Sequence, residues 1–189
     1  MRIIGGQSRG RMIHLPAGCH IRPTADRIKE SLFNIFRSVH MAYFLDLYAG
    51  CGNVGLEALS RGAAGAVFIE REPRLANAIR ENLRLLAYEK QGEVITATVD
   101  QGLKRLTKRG ARFDIVFADP PYDANALPRL LGFLETGELL AESGVIVLQH
   151  SAREDPQSVP MQHLMISDQR RYGETTLSFL RKMIEEKGL

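Results

Sequence analysis

The sequence has few cysteines and no long apolar run. Its two cysteines, Cys19 and Cys51, lie far apart and outside any Cys-x-x-Cys spacing, which argues against a disulfide framework and a cysteine-ligated metal site. The five histidines are scattered without metal-ligand spacing. No apolar stretch approaches the length of a membrane span, and residues 1–6 lack the apolar core of a signal peptide. We therefore expect a cytoplasmic protein without a bound metal ion.

The composition of the chain predicts one buried domain with a basic amino end. With 189 residues, of which 44% are hydrophobic and 25% charged, the chain is long enough for one domain and short for two. Residues 1–40 hold seven basic side chains against two acidic ones, a net charge of +5, and since the whole chain carries +3 the remainder carries −2. This asymmetry favours a polyanionic partner near the amino end, although a solvated basic surface has the same composition.

The first 40 residues predict a basic extension that forms one compact unit with a main domain over residues 41–189. Residues 2–5 and 11–15 have the pattern of two short strands joined by a glycine-rich turn, which predicts a hairpin. The arginines at or beside this turn are placed to contact phosphates: Arg2, Arg9 and Arg11. Further on, apolar side chains recur at helical spacing from Ile28 to Phe36, with Thr24 as the N-cap.

From residue 43 the sequence alternates between strand patterns and helical patterns. Five strands are predicted at residues 43–48, 66–69, 93–99, 113–118 and 145–149. Helices are predicted between them at residues 53–61, 73–86, 101–109 and 126–136. Two further strands, at residues 161–167 and 175–182, surround a polar turn and predict an antiparallel hairpin. Because strands separated by helices form right-handed parallel crossovers, we expect an α/β fold with a mostly parallel, doubly wound, seven-stranded sheet.

A glycine-rich loop follows the first predicted strand and opens the first helix of the main domain. Residues 46–55 contain Gly-x-Gly-x-x-Gly, and Glu70 lies about 20 residues further on, as in dinucleotide-binding folds. This spacing alone does not separate a nicotinamide enzyme from other nucleoside binders. Asp46 favours S-adenosylmethionine, because a carboxylate beside the turn repels a pyrophosphate and attracts an ammonium and a sulfonium.

Acidic side chains at the ends of the next two strands extend this candidate site. Glu70 is placed to accept hydrogen bonds from both ribose hydroxyls, and Asp100, after the third strand, to accept one from the adenine amine. Either acid alone also suits a solvated loop, so the prediction depends on their succession along one sheet. Cys51 is interpreted as a small residue that fills the loop and not as a nucleophile.

The fourth predicted strand ends in Asp119-Pro120-Pro121-Tyr122. The two prolines force the chain out of the sheet at the edge where open α/β sheets bind ligands. The Asp119 carboxylate and the Pro120 carbonyl can both accept hydrogen bonds from one exocyclic base amine, while the Tyr122 ring stacks on the base. By itself the motif is equally compatible with a strand-to-loop exit that ends in an aromatic cap.

Together these motifs resemble those of class I, Rossmann-like S-adenosylmethionine-dependent methyltransferases that modify amines. The fuller set is similar to that of the RsmD family: Arg2-Ile3-Ile4-Gly5-Gly6, Gly10-Arg11, Arg22-Pro23-Thr24, Arg27, Glu30, Phe33-Asn34-Ile35, residues 46–50 and residues 55–63. The resemblance implies methylation of the N2 amine of one guanine in 16S ribosomal RNA, within a small-subunit particle, by a monomer that needs neither a metal nor a membrane.

The resemblance also assigns roles by position. Catalysis falls to Asp119, Pro120 and Tyr122, and contact with the RNA to Arg2, Arg9, Arg11 and Pro121. The residues assigned to the cofactor are Asp46, Tyr48, Ala49, Gly50, Gly52, Asn53, Gly55, Glu70, Arg71, Asp100, Gln101, Arg22, Pro23 and Thr24. The sequence departs from the family pattern at Cys51, where serine is usual, and at Gln149, where an acid is common.

Four other functions share part of this pattern. A DNA adenine-N6 methyltransferase shares the Asp-Pro-Pro-Tyr chemistry, but this chain holds no insertion large enough for a DNA target-recognition domain. A protein-glutamine methyltransferase usually begins the motif with Asn. An RNA-binding module with a vestigial cofactor fold would not need the intact acids at positions 46, 70 and 119. A nicotinamide dehydrogenase is the most distant alternative, and titration with S-adenosylmethionine and NAD distinguishes these last two from a methyltransferase.

Overall fold

A computed structural model describes residues 1–16, 26–36, 38–121, 126–136 and 138–183 of the chain. The elements in these ranges are, in chain order, α1 (Asp26–Ile35), β1 (Tyr43–Leu47), α2 (Asn53–Ser60), β2 (Gly65–Glu70), α3 (Pro73–Leu86), β3 (Gly92–Thr96), α4 (Val99–Lys108), β4 (Phe113–Ala118), α5 (Ala126–Leu134), β5 (Leu140–Ser151), a 3₁₀ helix (Pro156–Ser158), β6 (Leu164–Tyr172) and β7 (Thr175–Lys182).

The seven strands form one sheet in the order β3-β2-β1-β4-β5-β7-β6. The strands β1 to β5 pair in parallel, and β7 is antiparallel to both β5 and β6. The strand order switches between β1 and β4: β2 and β3 follow on one side of β1, and β4 and β5 lie on the other. Such a switch point opens a crevice at the carboxyl ends of the two strands. The predicted mostly parallel, seven-stranded sheet with an antiparallel carboxyl-terminal hairpin is confirmed.

Two hydrophobic cores lie on opposite faces of the sheet. Helices α1, α2 and α3 cover one face and helices α4 and α5 the other. Alternate residues of each strand enter alternate cores, as the two-residue period of a strand requires. In β4, for example, Ile115 and Phe117 face the first core, whereas Val116 and Ala118 face the second. The parallel strands are thus apolar on both sides, which is why they were visible as continuous apolar runs.

Three predicted strands have wrong boundaries. The sixth strand, predicted at residues 161–167, is observed at Leu164–Tyr172. The third strand ends at Thr96 and not at Val99, because the Thr98 hydroxyl accepts a hydrogen bond from the Gln101 N–H and caps α4. Asp100 therefore lies in the first turn of this helix. The fifth strand begins at Leu140, well before the apolar run that predicted it. Leu140 pairs with Phe113 of β4, and after a register shift the pairing resumes between Val145 and Ile115.

The amino-terminal hairpin is shorter than predicted. Arg2 and Met12 form a single antiparallel bridge, flanked by a 2.9 Å hydrogen bond from the Ile3 N–H to the Arg11 carbonyl. Gly6 closes the turn at φ 75°, and a Cβ there would lie 1.8 Å from the Ser60 carbonyl oxygen at the end of α2. The hairpin is therefore packed directly on the main domain. None of the helices in the described ranges is long and apolar enough to cross a membrane.

Candidate active site

The carboxyl ends of β1 and β4 lie side by side. Leu47, the last residue of β1, pairs with Ala118, the last residue of β4. The loop that begins at Tyr48 and the segment that begins at Asp119 therefore leave the sheet from neighbouring positions. A molecule held by the first segment can meet a chemical group held by the second.

Three residues with left-handed backbone conformations shape the loop after β1: Tyr48 at φ 58°, Gly50 at φ 58° and Gly52 at φ 83°. Asp46 lies behind this turn and is only 2% exposed. Its Oδ2 accepts a 2.8 Å hydrogen bond from the Gly55 N–H in the first turn of α2. The carboxyl group thus satisfies one of the N–H groups that every helix leaves unpaired at its start.

Asp46 shares this region with two other carboxylates. Burial, and to a smaller degree the negative charges of Asp119 and Glu70, raises the pKa of Asp46 to about 8, while the hydrogen bond from Gly55 acts in the opposite direction. The acids at the ends of β1, β2 and β4 are therefore close enough to repel one another. A cation placed beside them would be attracted and would return Asp46 to its ionised form.

Glu70 is held rigidly at the end of β2. It is 7% exposed, and its two oxygens each accept a 2.8 Å backbone hydrogen bond, one from the Gly50 N–H and one from the Glu72 N–H. These bonds join β2 to the glycine loop and fix the orientation of the carboxylate. Each oxygen keeps a second lone pair, so the group can still accept hydrogen bonds from two hydroxyls.

A pocket of about 450 Å³ opens at the ends of these strands. Six of the predicted site residues line it: Tyr48, Glu70, Arg71, Asp100, Asp119 and Pro121. Ile69, Ala97 and Val99 provide an apolar wall. This set of groups suits S-adenosylmethionine, since the apolar wall fits an adenine ring, the carboxylates fit hydroxyls and amines, and the negative charge fits an ammonium and a sulfonium.

Among the pocket residues that were not predicted, one is charged, Arg129 on α5. Its Nη2 donates a hydrogen bond to Asp100 Oδ2 and thereby joins α5 to the first turn of α4 at the pocket rim. The two residues are 29 positions apart, and a single arginine in a helix carries no pattern that reveals a partner so distant. Asp100 keeps its other oxygen for a ligand.

Some predicted site residues lie next to the pocket and not in its described wall. Ala49, Gly52 and Asn53 build the glycine loop, and Gln101 is exposed on α4. Arg22, Pro23, Thr24 and Tyr122 lie outside the described residues, so their assignments stay predictions.

A buried charged group that was not predicted from the sequence lies beneath the loop. Lys29 of α1 is 0% exposed and its Nζ donates hydrogen bonds to the Arg2 carbonyl at 2.9 Å and to Asn53 Oδ1 at 2.8 Å. It also lies 3.3 Å from Glu57 Oε2, and Glu57 in turn accepts a 2.8 Å hydrogen bond from Arg61. A lysine inside the apolar stripe of α1, and a glutamate inside the wholly buried α2, were the available signals.

A second polar contact joins the hairpin to the glycine loop. Asn82 of α3 is 0% exposed, and its amide exchanges hydrogen bonds with the backbone of His14, at 2.7 and 3.0 Å. The same amide nitrogen reaches the Cys51 carbonyl at 3.3 Å. The hairpin, α1 and the glycine loop therefore form one continuous hydrogen-bonded layer.

The arginines predicted to contact RNA are exposed on the hairpin. Arg2 and Arg9, with Arg27 of α1, line a cavity of about 340 Å³. The Nη2 of Arg11 donates a hydrogen bond to the Leu85 carbonyl at the end of α3. Asp26 and Glu30 line the same cavity, and Arg2 lies 3.7 Å from Asp26, so the basic side chains of this cavity exceed the acidic ones by one.

Cys51 fills the glycine loop as expected. It is 1% exposed, and burial raises the pKa of its thiol to about 11, so the reactive thiolate is scarce at neutral pH. In the described ranges, no group of three or more histidine, cysteine or acidic side chains is arranged to hold a metal ion.

The sheet order and the acids at its carboxyl edge define a class I methyltransferase fold. The chain belongs to the family described as conserved hypothetical protein 95, which matches residues 1–181. The sequence-based assignment to the RsmD family of S-adenosylmethionine-dependent rRNA methyltransferases is confirmed by this match and by the relatives below.

The similarity to known proteins covers most of the chain. This chain is 37% identical to ribosomal RNA small subunit methyltransferase D of Escherichia coli (strain K12) over 161 aligned residues. The alignment covers 85% of this chain and 79% of that protein. It is also 35% identical to the rRNA methyltransferase YlbH of Bacillus subtilis (strain 168) over 188 aligned residues, an alignment that covers 96% of this chain and 99% of that protein. The solved structure of yhhF from Escherichia coli superimposes with a TM-score of 0.80 at 28% identity, over 98% of this chain and 99% of that one.

Proposed function

We propose that this protein transfers a methyl group from S-adenosylmethionine to the exocyclic N2 amine of one guanine in 16S ribosomal RNA. The pairing of Leu47 with Ala118 carries the proposal, because it puts Asp119 beside the loop and pocket that suit the methyl donor. The name of the Escherichia coli relative supports ribosomal RNA of the small subunit as the substrate. The positive hairpin arginines fit such a polyanion.

The residues of the pocket divide the binding of the cofactor among them. Glu70 accepts hydrogen bonds from the ribose hydroxyls, and Asp100 accepts one from the adenine amine. Asp46 provides negative charge behind the glycine loop. When bound, S-adenosylmethionine supplies a methyl group that its sulfonium already activates. The protein therefore contributes alignment and electrostatic stabilisation.

The segment after β4 holds the substrate amine. The Asp119 carboxylate and the Pro120 carbonyl each accept a hydrogen bond from one N–H of the amine, which turns its lone pair toward the pocket. As the bond between the nitrogen and the methyl carbon forms, the bond from that carbon to sulfur would break and its electron pair would stay on the sulfur of S-adenosylhomocysteine. Positive charge would grow on the nitrogen, and Asp119 would stabilise it. The amine proton then leaves to Asp119 or to water. The Tyr122 ring stacks on the base, which is exposed or flipped out of its helix.

The remaining parts of the proposal concern the working form of the protein. The hydrogen bonds of Lys29 and Asn82 support a single compact unit in which the basic extension, residues 1–40, contacts RNA while residues 41–189 bind the cofactor. We infer that it works as a monomer in the cytoplasm, on RNA within a small-subunit particle.

Labelled S-adenosylmethionine tests this function. The protein is incubated with unmodified 16S ribosomal RNA, with small-subunit particles that lack the modification, and with double-stranded DNA, and the products are digested and separated as nucleosides. We expect label in N2-methylguanosine from RNA, with particles exceeding naked RNA. Label in N6-methyladenosine from DNA, or no transfer to any of the three, would contradict the proposal.

A further inference from the structure

Gln149, in the carboxyl-terminal half of β5, carries a buried amide oxygen that lacks a partner among the described residues. The residue is 6% exposed, and its Oε1 accepts no hydrogen bond within the part of the chain that the structure describes. Burying an unsatisfied amide oxygen is costly, and native proteins contain few such groups. A group of this kind at the carboxyl edge of the sheet is explained if a ligand supplies the missing donor.

Gln149 is the neighbour of Asp119 across two parallel strands. The preceding residues, Leu148 and Ala118, pair in register. Asp119 directly follows the end of β4, and Gln149 occupies the equivalent position in β5, which continues to Ser151 and pairs there with β7. Adjacent strands are about 5 Å apart.

Both side chains project to the same side of the sheet. Val147 and Phe117, two residues earlier in β5 and β4, belong to the core beneath α1, α2 and α3. Because strand side chains alternate, Gln149 and Asp119 continue the two rows that Val147 and Phe117 occupy. By register and by strand alternation, Asp119 and Gln149 therefore occupy adjacent positions on one face of the sheet.

The cofactor pocket lies on the opposite side of Asp119. Its lining comes from the segments at the ends of β1, β2 and β3, from Asp119 and Pro121 after β4, and from Ala126 and Arg129 of α5, and it does not include Gln149. Gln149 is one strand further along the sheet, on the side of β4 away from β1. An amine held by Asp119 therefore belongs to a molecule that extends toward Gln149.

We propose that Gln149 is a specificity-determining residue whose Oε1 accepts a hydrogen bond from the N1–H of the target guanine. The inference deepens the proposed function and rests on it. Guanine presents its N1–H beside its N2 amine, so two adjacent acceptors, Asp119 and Gln149, match two adjacent donors. Adenine and cytosine have a hydrogen-bond acceptor beside their exocyclic amine, and they leave the Gln149 oxygen unsatisfied.

The experiment uses a base that keeps the reacting amine and lacks the neighbouring N–H. Small-subunit particles are assembled with either guanine or 2-aminopurine at the methylated position, and kcat/KM is measured for the wild type, Gln149→Leu and Gln149→Glu. Gln169→Leu is the matched control, since Gln169 lies on β6 and its amide already donates a 2.8 Å hydrogen bond to Ser178. Cofactor affinity is measured by calorimetric titration of each variant.

We expect the wild type to prefer guanine by tenfold or more, the worth of about one unsatisfied buried hydrogen bond. Gln149→Leu should lower kcat/KM on guanine and bring the ratio of kcat/KM for guanine to kcat/KM for 2-aminopurine close to one, with unchanged cofactor affinity. Its melting temperature should equal or exceed that of the wild type, because leucine removes an unsatisfied polar group. Gln149→Glu keeps an acceptor oxygen and should keep the preference, as should Gln169→Leu.

A ratio that Gln149→Leu leaves unchanged would overturn this proposal and leave the proposed function intact. The proposal also fails if Gln169→Leu changes the ratio equally, or if the loss in Gln149→Leu appears in cofactor affinity. A wild-type protein that transfers no methyl group to guanine would overturn the proposed function, and this inference with it.

Discussion

Replacing Asp46 by asparagine should make the free energy of unfolding much less dependent on pH. Burial holds the pKa of Asp46 near 8 in the folded protein, against 3.8 as its ordinary value. Between these two values the folded chain binds a proton that the unfolded chain does not. The contribution of Asp46 to stability is therefore complete below about pH 4 and is lost as the pH rises through 8. Asparagine keeps an oxygen for the Gly55 N–H and carries no titrating proton.

The size of the effect follows from the gap between the two pKa values. A gap of roughly 4 units corresponds to about 6 kcal/mol, since one unit is worth about 1.4 kcal/mol. This figure is an upper limit, because water penetration and local relaxation reduce the penalty of a buried charge. We expect the free energy of unfolding of Asp46→Asn, relative to the wild type, to rise by at least about 2 kcal/mol between pH 5 and pH 9.

Urea unfolding at a series of pH values measures this difference, and comparison with the wild type cancels the titration of all other groups. Binding provides a second readout. Because a cation favours the ionised form of Asp46, S-adenosylmethionine should release a proton on binding near pH 7, detectable by calorimetry in buffers of different ionisation enthalpy. A difference in stability that stays flat between pH 5 and pH 9, or binding without proton release, would refute the reasoning.

Two further substitutions test the layer beneath the site. Lys29→Met removes the hydrogen bonds of a fully buried ammonium and should lower the free energy of unfolding in urea by about 3 kcal/mol. The control Arg109→Met breaks an ion pair whose two side chains are each nearly half exposed, and it should lower this free energy by less than about 1 kcal/mol. Equal losses in the two variants would contradict this prediction. Gly55→Ala puts a Cβ 2.3 Å from the Phe68 ring and should weaken cofactor binding in calorimetric titration. The control Gly132→Ala adds a Cβ in open space on α5 and should leave cofactor binding unchanged. Unchanged cofactor binding in Gly55→Ala would count against the role of the glycine loop.

The helices and strands were predictable because the pattern of each element lies within its own stretch of sequence. The strand at residues 113–118 was predicted at its observed bounds, since a strand buried on both faces is a continuous apolar run closed by two prolines. The limits of β3 were not predictable in the same way. They depend on whether the Thr98 hydroxyl caps a helix, and threonine is equally common within strands.

The chemistry at the sheet edge was predictable from topology, and the contacts between distant elements were not. Parallel crossovers bring the acids that end successive strands to one edge, so Glu70 and Asp119 could be placed together before any coordinates. Arg129 and Lys29 act through partners far along the chain, and only packing decides those pairs. The burial of Asp46 was equally invisible, because an acid beside a glycine turn suits an exposed site as well as a buried one.

The central claim is that the edge of the sheet is divided, with the methyl donor over β1, β2 and β3 and the amine at Asp119. The most direct test measures cofactor affinity and methyl transfer for Asp119→Ala in parallel. We predict an affinity for S-adenosylmethionine within a fewfold of the wild type and no detectable transfer to RNA. A variant that loses the cofactor and yet retains turnover at saturating concentrations would contradict the account.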